Sequence, residues 1–386
     1  MSAVRAFQVP QARLSREEHD GTDLWLLVPT LSLVSLGVAM VYSASIPLTA
    51  AQGGSLLSYL LREVGFVGAG VIGMLAAMRV PLEWLKRQAW PLLLATVALL
   101  AGVFFMPSRN GAHSWYPIPG TPFSFQPSEM AKLVLVIVSA RYFMRFPRGL
   151  SGWREALPPL VVMFGMVGLV AIEPDMGTAA VTAMTMMVFF HIAGARMRHL
   201  LAAGGAAAMA AAVMVWNHPY QLQRIADFFL GKEVELAGGY QKARSLIALG
   251  SGGLTGCGYC GSIEKFFYLP AATTDSILAV VGEELGLVVT WGVLAMFAVL
   301  VWRGMKVAAE APDRFSGLLA AGIACSIGVQ ALLNVAVVTG SIPATGVTLP
   351  FVSYGGSSLV FSMVGAGLLM NVSRRARSRG RVEAAA

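Results

Sequence analysis

Charge is what this chain has least of. Only 12 % of its 386 residues are Asp, Glu, Lys or Arg, about half the fraction of an ordinary soluble domain. That excludes a set of water-facing globular domains and makes length divided by domain size the wrong question. Cysteine is scarce too: Cys257, Cys260 and Cys325 are too few for a disulfide framework. Cys257-Gly-Tyr-Cys260 has redox spacing but no thioredoxin-like βαβ pattern around it, so two incidental small residues in a Gly-rich loop is the favoured reading. In an oxidising compartment a local disulfide is the alternative. The five histidines (19, 113, 191, 199 and 218) lack ligand spacing, so no constitutive metal site is expected. Residues 1–23 are polar and mixed in charge, and the apolar run after them is too long for the core of a cleavable signal, so Leu24 onward should act as an uncleaved anchor. No internal repeat stands out, which weakens an inverted-repeat transporter reading.

What is present is hydrocarbon. Hydrophobic residues make up 56 % of the chain. Apolar stretches of crossing or near-crossing length lie at ten places: 24–42, 64–78, 90–106, 130–143, 157–172, 176–193, 200–216, 277–302, 315–338 and 351–372. The expected fold is an all-α integral membrane protein of about ten transmembrane helices. A tail (1–23) precedes the membrane domain (24–372), which contains one large loop (217–276), and a basic tail (373–386) follows. An even number of spans puts both termini on one side. Twenty Lys and Arg then fall in the loops and tails of that side and two, Arg62 and Arg109, in the short loops opposite. Basic residues mark the cytoplasm, so both termini are expected there and the 217–276 loop outside. The run Arg374-Arg-Ala-Arg-Ser-Arg-Gly-Arg381 reads as an anchor at the anionic inner leaflet, and the net charge of +8 needs no nucleic-acid partner.

Ionisable groups kept beside a bilayer are costly and mark candidate working sites. Four external pieces hold the unusual polar residues. In 110–132, Ser128 is a candidate N-cap, and Glu129 and Lys132 share a helix face and can pair. In 173–178, Glu173 and Asp175 sit at a tight break within potential reach of Lys132; an interfacial turn with solvated acids is the competing view. In 238–285, Asp275 stands where the eighth span begins. There a helix dipole would favour its anion and partial burial would make it a better base, while a plain helix cap is the competing view. Glu283 and Glu284 lie two turns into the span, and Lys242, Arg244 and Lys265 offer positive charge to an anionic head group. The fourth piece, Thr339–Ser358, carries no charge and is rich in Gly and Pro, as expected of irregular backbone lining a cavity. It lacks the Gly-Lys-Ser/Thr ending of a P-loop. A divalent cation (Mg2+ or Mn2+) bridging external carboxylates and a pyrophosphate substrate stays open.

The motifs QPSEMAKL, EPDMGTA, GYQ…SLIALGSGG, FYLP…TDSI…VGEELGL and GSIPATGVTLPFVSYGGSS resemble those of the SEDS family, the bacterial membrane proteins that include FtsW, RodA and SpoVE. The similarity runs from the first span to the tenth, and its wording lies nearer FtsW and SpoVE than RodA. It implies a ten-span peptidoglycan glycosyltransferase of the cytoplasmic (inner) membrane that polymerises lipid II during cell division, beside a class B penicillin-binding protein and other division-complex proteins. It implies that Asp275 is the essential loop aspartate and that Trp115 is the tryptophan of the Gly-Ala-x-x-Trp loop. Glu129, Lys132 and Asp175 match a buried polar cluster; Gln241, Arg244, Glu283 and Ser353 fall within the motif stretches, and with Lys265 beside them they are the expected substrate-binding or supporting residues. Two departures stand out: Ser114 replaces an arginine before the tryptophan, and Ala271-Ala-Thr-Thr-Asp275-Ser276 replaces Glu-Ala-His-Thr-Asp-Phe. The chemistry implied is a single displacement, with Asp275 as base on the acceptor 4-hydroxyl, inversion at the donor carbon, and Lys265, Lys242 or Arg244 facing the leaving pyrophosphate. A flippase for the same lipid and a non-catalytic division scaffold are the rival readings.

Overall fold

The computed structural model describes residues 22–52, 56–106, 114–118, 120–121, 123–173, 175–216 and 237–385. Expectations about the tail 1–21 with Arg5, Arg13 and Arg16, about Arg109, and about the first third of the long loop (217–236) lie outside the described residues.

Among the described residues twelve α-helices carry the fold. They are α1 (Leu24–Gln52), α2 (Leu56–Ala77), α3 (Leu82–Arg87), α4 (Ala89–Gly102), α5 (Pro127–Phe143), α6 (Trp153–Ile172), α7 (Met176–Ala193), α8 (Met197–Trp216), α9 (Ala237–Ser251), α10 (Ile277–Glu310), α11 (Arg314–Val338) and α12 (Gly356–Ala385). One two-residue ribbon, β1 (Tyr116–Pro117) with β2 (Ser124–Phe125), leads into α5. Among the described residues seven helices are long and apolar enough to cross a membrane by length and composition. The helices α4, α5 and α8 stand at three further expected places. A helix meets every backbone hydrogen bond within itself, which is why apolar chain in lipid adopts it.

Several boundaries differ from those read off hydropathy, because a helix does not stop where lipid does. Helix α1 continues past Tyr42 to Gln52, α10 past Trp302 to Glu310, and α12 past Val372 through the basic tail. The tail is docked: the Ser373 hydroxyl and the Arg377 guanidinium reach the Asp23 carboxylate at 2.6 and 3.1 Å. Arg303 meets the same carboxylate at 2.8 Å, so a buried acid gathers α1, α10 and α12 at one end of the bundle. Helices α1 and α10 run antiparallel, with Trp25 against Trp302 at that end and Ser43 against Glu284 toward the other. The long loop is structured where described: it holds α9, and residues 252–276 fold back along α10.

Helix α10 is broken at Gly286, whose φ of 79° and ψ of 177° belong to glycine alone. The break frees backbone groups that the 252–258 segment then takes up. Cys257 and Gly258 donate N–H to the carbonyls of Glu283 and Glu284 at 2.9 and 3.0 Å, and Leu287 and Val288 donate to Gly253 and Leu254 at 2.9 and 3.3 Å. A side chain at 286 would strike the backbone of Leu254 and Gly256. Gly286→Ala is therefore expected to cost about 3 kcal/mol, from a forbidden backbone conformation plus overpacking. A thermal melt in detergent should show the loss, whereas Gly292→Ala, which meets nothing within 4 Å, should melt at or above the parent temperature.

Candidate active site

The polar clusters gather at the end of the bundle opposite Asp23. Asp275 is the residue before the N-cap of α10, which is Ser276. Its carboxylate caps nothing, contrary to the simpler of the two readings. Oδ2 accepts from the Gln241 amide at 3.0 Å and Oδ1 from the Thr274 hydroxyl at 2.9 Å. Gln241 also donates to Ser276 Oγ at 3.0 Å, fixing α9 to the start of α10. Two more segments hold the turn from behind. The Asn334 amide of α11 donates to the Asp275 carbonyl at 2.8 Å and to the Val347 carbonyl at 2.7 Å. The Ser353 hydroxyl donates to the Thr274 carbonyl at 2.5 Å, and Tyr354 N–H to the Thr273 carbonyl at 2.9 Å. The charge-free 339–355 segment is thus the wall on which the aspartate turn rests. The carboxylate has only neutral hydrogen-bonding partners, and Asp275 is only 5 % exposed.

One helical turn beyond Gln241 on α9, Arg244 lies between the rings of Tyr240 and Tyr268, 5.1 and 5.0 Å from their centroids. Its guanidinium touches Glu264 at a long 3.3 Å and keeps 29 % side-chain exposure, which leaves it able to meet an anion. Lys242 packs its methylenes over Gly340.

Lys265 departs from expectation. Its ammonium donates to Glu284 Oε1 at 2.7 Å, Ser43 Oγ at 2.8 Å and the Cys260 carbonyl at 2.8 Å, with no side-chain exposure at either end of the ion pair. All three donors are spent inside the protein, so it cannot face a pyrophosphate. Glu283 is likewise structural, accepting from Ser262 Oγ at 2.5 Å and from the Ile263 and Glu264 N–H groups at 2.9 and 3.3 Å.

A second cluster surrounds the start of α5. Lys132 pairs with Glu129 at 2.9 Å, as their spacing predicts, and donates to the Gln330 amide oxygen of α11 at 2.7 Å. Ser128 is not the N-cap; Gln126 is, with Pro127 in the first turn. Asp175 makes no ion pair with Lys132. It caps α7 through Thr178 N–H at 3.1 Å and accepts from the Gln126 amide at 2.8 Å. Beside Lys132 a small pocket opens between α5, α11 and α12, polar at Glu129 and Gln330 and apolar at Val136, Ile323 and Phe361. Trp115 is half-buried and forms no hydrogen bond or ring contact with another described residue; the neighbouring Ser114 hydroxyl donates to the Glu173 carbonyl at 3.0 Å. Among the described residues no three His, Cys, Asp or Glu side chains converge to hold a metal.

Comparison with known proteins decides what this architecture is. The family model described as "Cell cycle protein", covering FtsW, RodA and SpoVE, matches residues 24–378. The chain belongs to the FtsW/RodA/SpoVE family. It is 42 % identical to a probable peptidoglycan glycosyltransferase FtsW of Halomonas elongata over 95 % of this chain and 94 % of that one. It is 38 % identical to stage V sporulation protein E of Bacillus subtilis, over 92 % and 98 %. Among solved structures, Thermus thermophilus RodA superposes with a TM-score of 0.68 at 28 % identity, over 92 % of this chain and 97 % of that one. A chain from a study of polymerization and crosslinking by a peptidoglycan synthase complex superposes at 0.73 and 27 %, over 92 % and 98 %. This FtsW/RodA/SpoVE chain is accordingly a multi-pass membrane protein.

Sequence reasoning missed Asn334 and Gln330. Uncharged amides inside an apolar span are a signal, since lipid offers them no partner. It also left Glu173 without a role. That residue closes α6, is wholly buried, and neither carboxylate oxygen has a hydrogen-bond partner among the described residues. Burial, and next the charge of Asp175, push its carboxyl up to about 8. An unfolded Glu ionises near 4.5, so the native state holds an extra proton across this window and loses stability as pH rises from 4.5 to about 8. Glu173→Gln, a neutral isostere, should flatten the melting temperature against pH over that range, where the parent loses up to about 1.4 kcal/mol per pH unit. The Lys265–Glu284 pair yields a second expectation. Glu284→Ala strands a buried ammonium and should cost about 3–5 kcal/mol, read as a large drop in melting temperature.

Proposed function

We propose that this chain is a peptidoglycan glycosyltransferase that polymerises lipid II at the outer face of the cytoplasmic membrane, with Asp275 as general base. Both termini and the basic loops lie on the cytoplasmic side and the 217–276 loop outside, as the twenty-to-two distribution of Lys and Arg supports. The carrying observation is the way Asp275 is held. Three segments position its turn, yet its carboxylate receives only an amide and a hydroxyl, so it is oriented without a cationic partner. A carboxylate kept this way can take the proton of an acceptor sugar hydroxyl as that oxygen attacks the donor anomeric carbon and the polyprenyl pyrophosphate leaves with the bonding pair. With one base and no enzyme nucleophile, the configuration inverts. Of the three cations expected to face the leaving pyrophosphate, Lys265 is spent inside the protein, and the partial exposure of Arg244 one turn from Gln241 favours Arg244 for that role. The Glu129–Lys132–Gln330 cluster keeps the shape of the adjoining cavity. Because Asp275 is 5 % exposed, the acceptor enters when the 271–274 turn moves aside. A class B penicillin-binding protein is the partner this reading implies, and the division septum its place of work.

The same low exposure favours one other reading, a scaffold in which Asp275 merely fixes α9 to α10. Polymerisation of purified lipid II separates the two. Asp275→Asn retains a group that can bond Gln241 yet cannot accept a proton, so it should reduce glycan product by about 10²–10⁴-fold while leaving the melting temperature near that of the parent. Product equal to the parent's from both Asp275→Asn and Asp275→Ala refutes the base.

A further inference from the structure

We propose that residues 252–264 form a re-entrant element that dips into the bilayer leaflet on the Asp275 side and packs its apolar side chains against lipid hydrocarbon. The inference does not rest on the reaction assigned to Asp275. Depth follows from the two helices that flank the segment. The exposed indoles of Trp25 and Trp302 sit edge to face with centroids 6.2 Å apart, level with the Asp23–Arg303 ion pair, as side chains at a membrane boundary do. Tyr259 donates its hydroxyl to the Ala39 carbonyl of α1 at 2.8 Å, and the Leu254 carbonyl accepts from Val288 N–H of α10. Ala39 lies 14 residues beyond Trp25, and Val288 lies 14 residues before Trp302. At a helical rise of 1.5 Å both positions stand about 21 Å from the tryptophans, and a hydrocarbon core is about 30 Å thick. Two independent helices place the tip of the segment about 9 Å inside the hydrocarbon.

The side chains fit that environment. Leu254 is 66 % exposed, Tyr259 50 % and Ile263 69 %, values that water would not favour together on one short segment. Their surface continues onto the lipid-facing side of α10 at Val288 and Trp291. Farther out along the chain the exposed Phe266, Phe267 and Tyr268 stand at the level of an interfacial aromatic belt. The backbone fits as well. Irregular chain survives at membrane depth only if protein satisfies its polar groups. Here the break at Gly286 supplies carbonyls to Cys257 and Gly258, and the Glu284 and Glu283 carboxylates accept from the N–H groups of Cys260 and Ile263 at 3.0 and 2.9 Å. The acids two turns into the eighth span thereby acquire a purpose: they dock a membrane-dipping loop, and through it fix the depth of α9 and Asp275.

The experiment is spin-label accessibility of the whole protein in phospholipid vesicles. A nitroxide is placed at Leu254→Cys in a chain with Cys257→Ser and Cys260→Ser, buried Cys325 being left in place. Val288→Cys serves as the lipid-facing reference and exposed Ala271→Cys as the outer one. The ratio of collisions with dissolved oxygen to those with a water-soluble nickel chelate should match position 288 and exceed position 271 several-fold. A ratio equal to that at 271 puts the segment in water and overturns the proposal. A label reached by neither reagent means a protein surface covers it, and overturns it equally. Should Leu254→Cys fail to purify folded, the exposed neighbour Thr255→Cys reports on the same turn.

Discussion

The ion pair between Lys265 and Glu284 is the constraint on which the site end of this protein depends. Neither partner is exposed, and each would be prohibitive alone in an apolar surrounding. Together with Ser43 Oγ and the Cys260 backbone they satisfy one another, so the pair forms only when α1, α10 and the 257–265 segment are all in place. Glu283 adds a second attachment through Ser262 and two backbone N–H groups. Such a network contributes little net energy relative to apolar packing, but it admits one arrangement of three segments. A loop that follows twenty residues of other chain is thereby positioned against the bundle as firmly as a helix.

What this fixes is the setting of Asp275. The turn that bears it is suspended from α9 by Gln241, from α11 by Asn334 and from the 339–355 segment by Ser353 and Tyr354. Each tie is a neutral hydrogen bond, and the two to Ser353 and Asn334 reach backbone carbonyls, not the carboxylate. Positioning and charge compensation are therefore separated: the backbone is held and the carboxyl group is left without a cationic partner. The opposite arrangement at Glu284, where an ammonium sits on the carboxylate, marks a group whose charge is spent on structure. Arg244 falls between these cases, clamped by two tyrosine rings yet bonded only loosely to Glu264.

Most of the fold was legible because lipid imposes a simple code. Long apolar runs become helices, and Lys and Arg collect on one side. The site was legible only in part. The i,i+3 spacing of Glu129 and Lys132 predicts their pair, since a helix alone brings them together. Lys265 was misread because its partners come from Ser43, 222 residues away, and from an acid in the next span; no local spacing encodes that meeting. Asp175 was drawn toward Lys132 by charge, but Gln330 fills that place from α11 and Asp175 turns to cap its own helix. Helix α9 escaped notice because its polar Tyr240–Arg244 stretch reads as loop, and only packing against the start of α10 gives it a reason to be helical.

The two ends of the bundle show how structural and working charges can be told apart. At the Asp23 end one carboxylate is answered by Arg303, Arg377 and Ser373. At the other end the acids are answered incompletely among the described residues. Glu173 lacks any partner, Glu63 Oε2 and Glu264 Oε2 each lack one, and Asp275 meets only neutral donors. Natural proteins pair buried charge almost without exception, because an unpaired one destabilises the fold. Carboxyl groups left short of partners are a stability cost, and such costs are a mark by which functional sites are sought. The distribution of unmet bonds, more than the distribution of charge, distinguishes the Asp275 end from the end that holds the helices together.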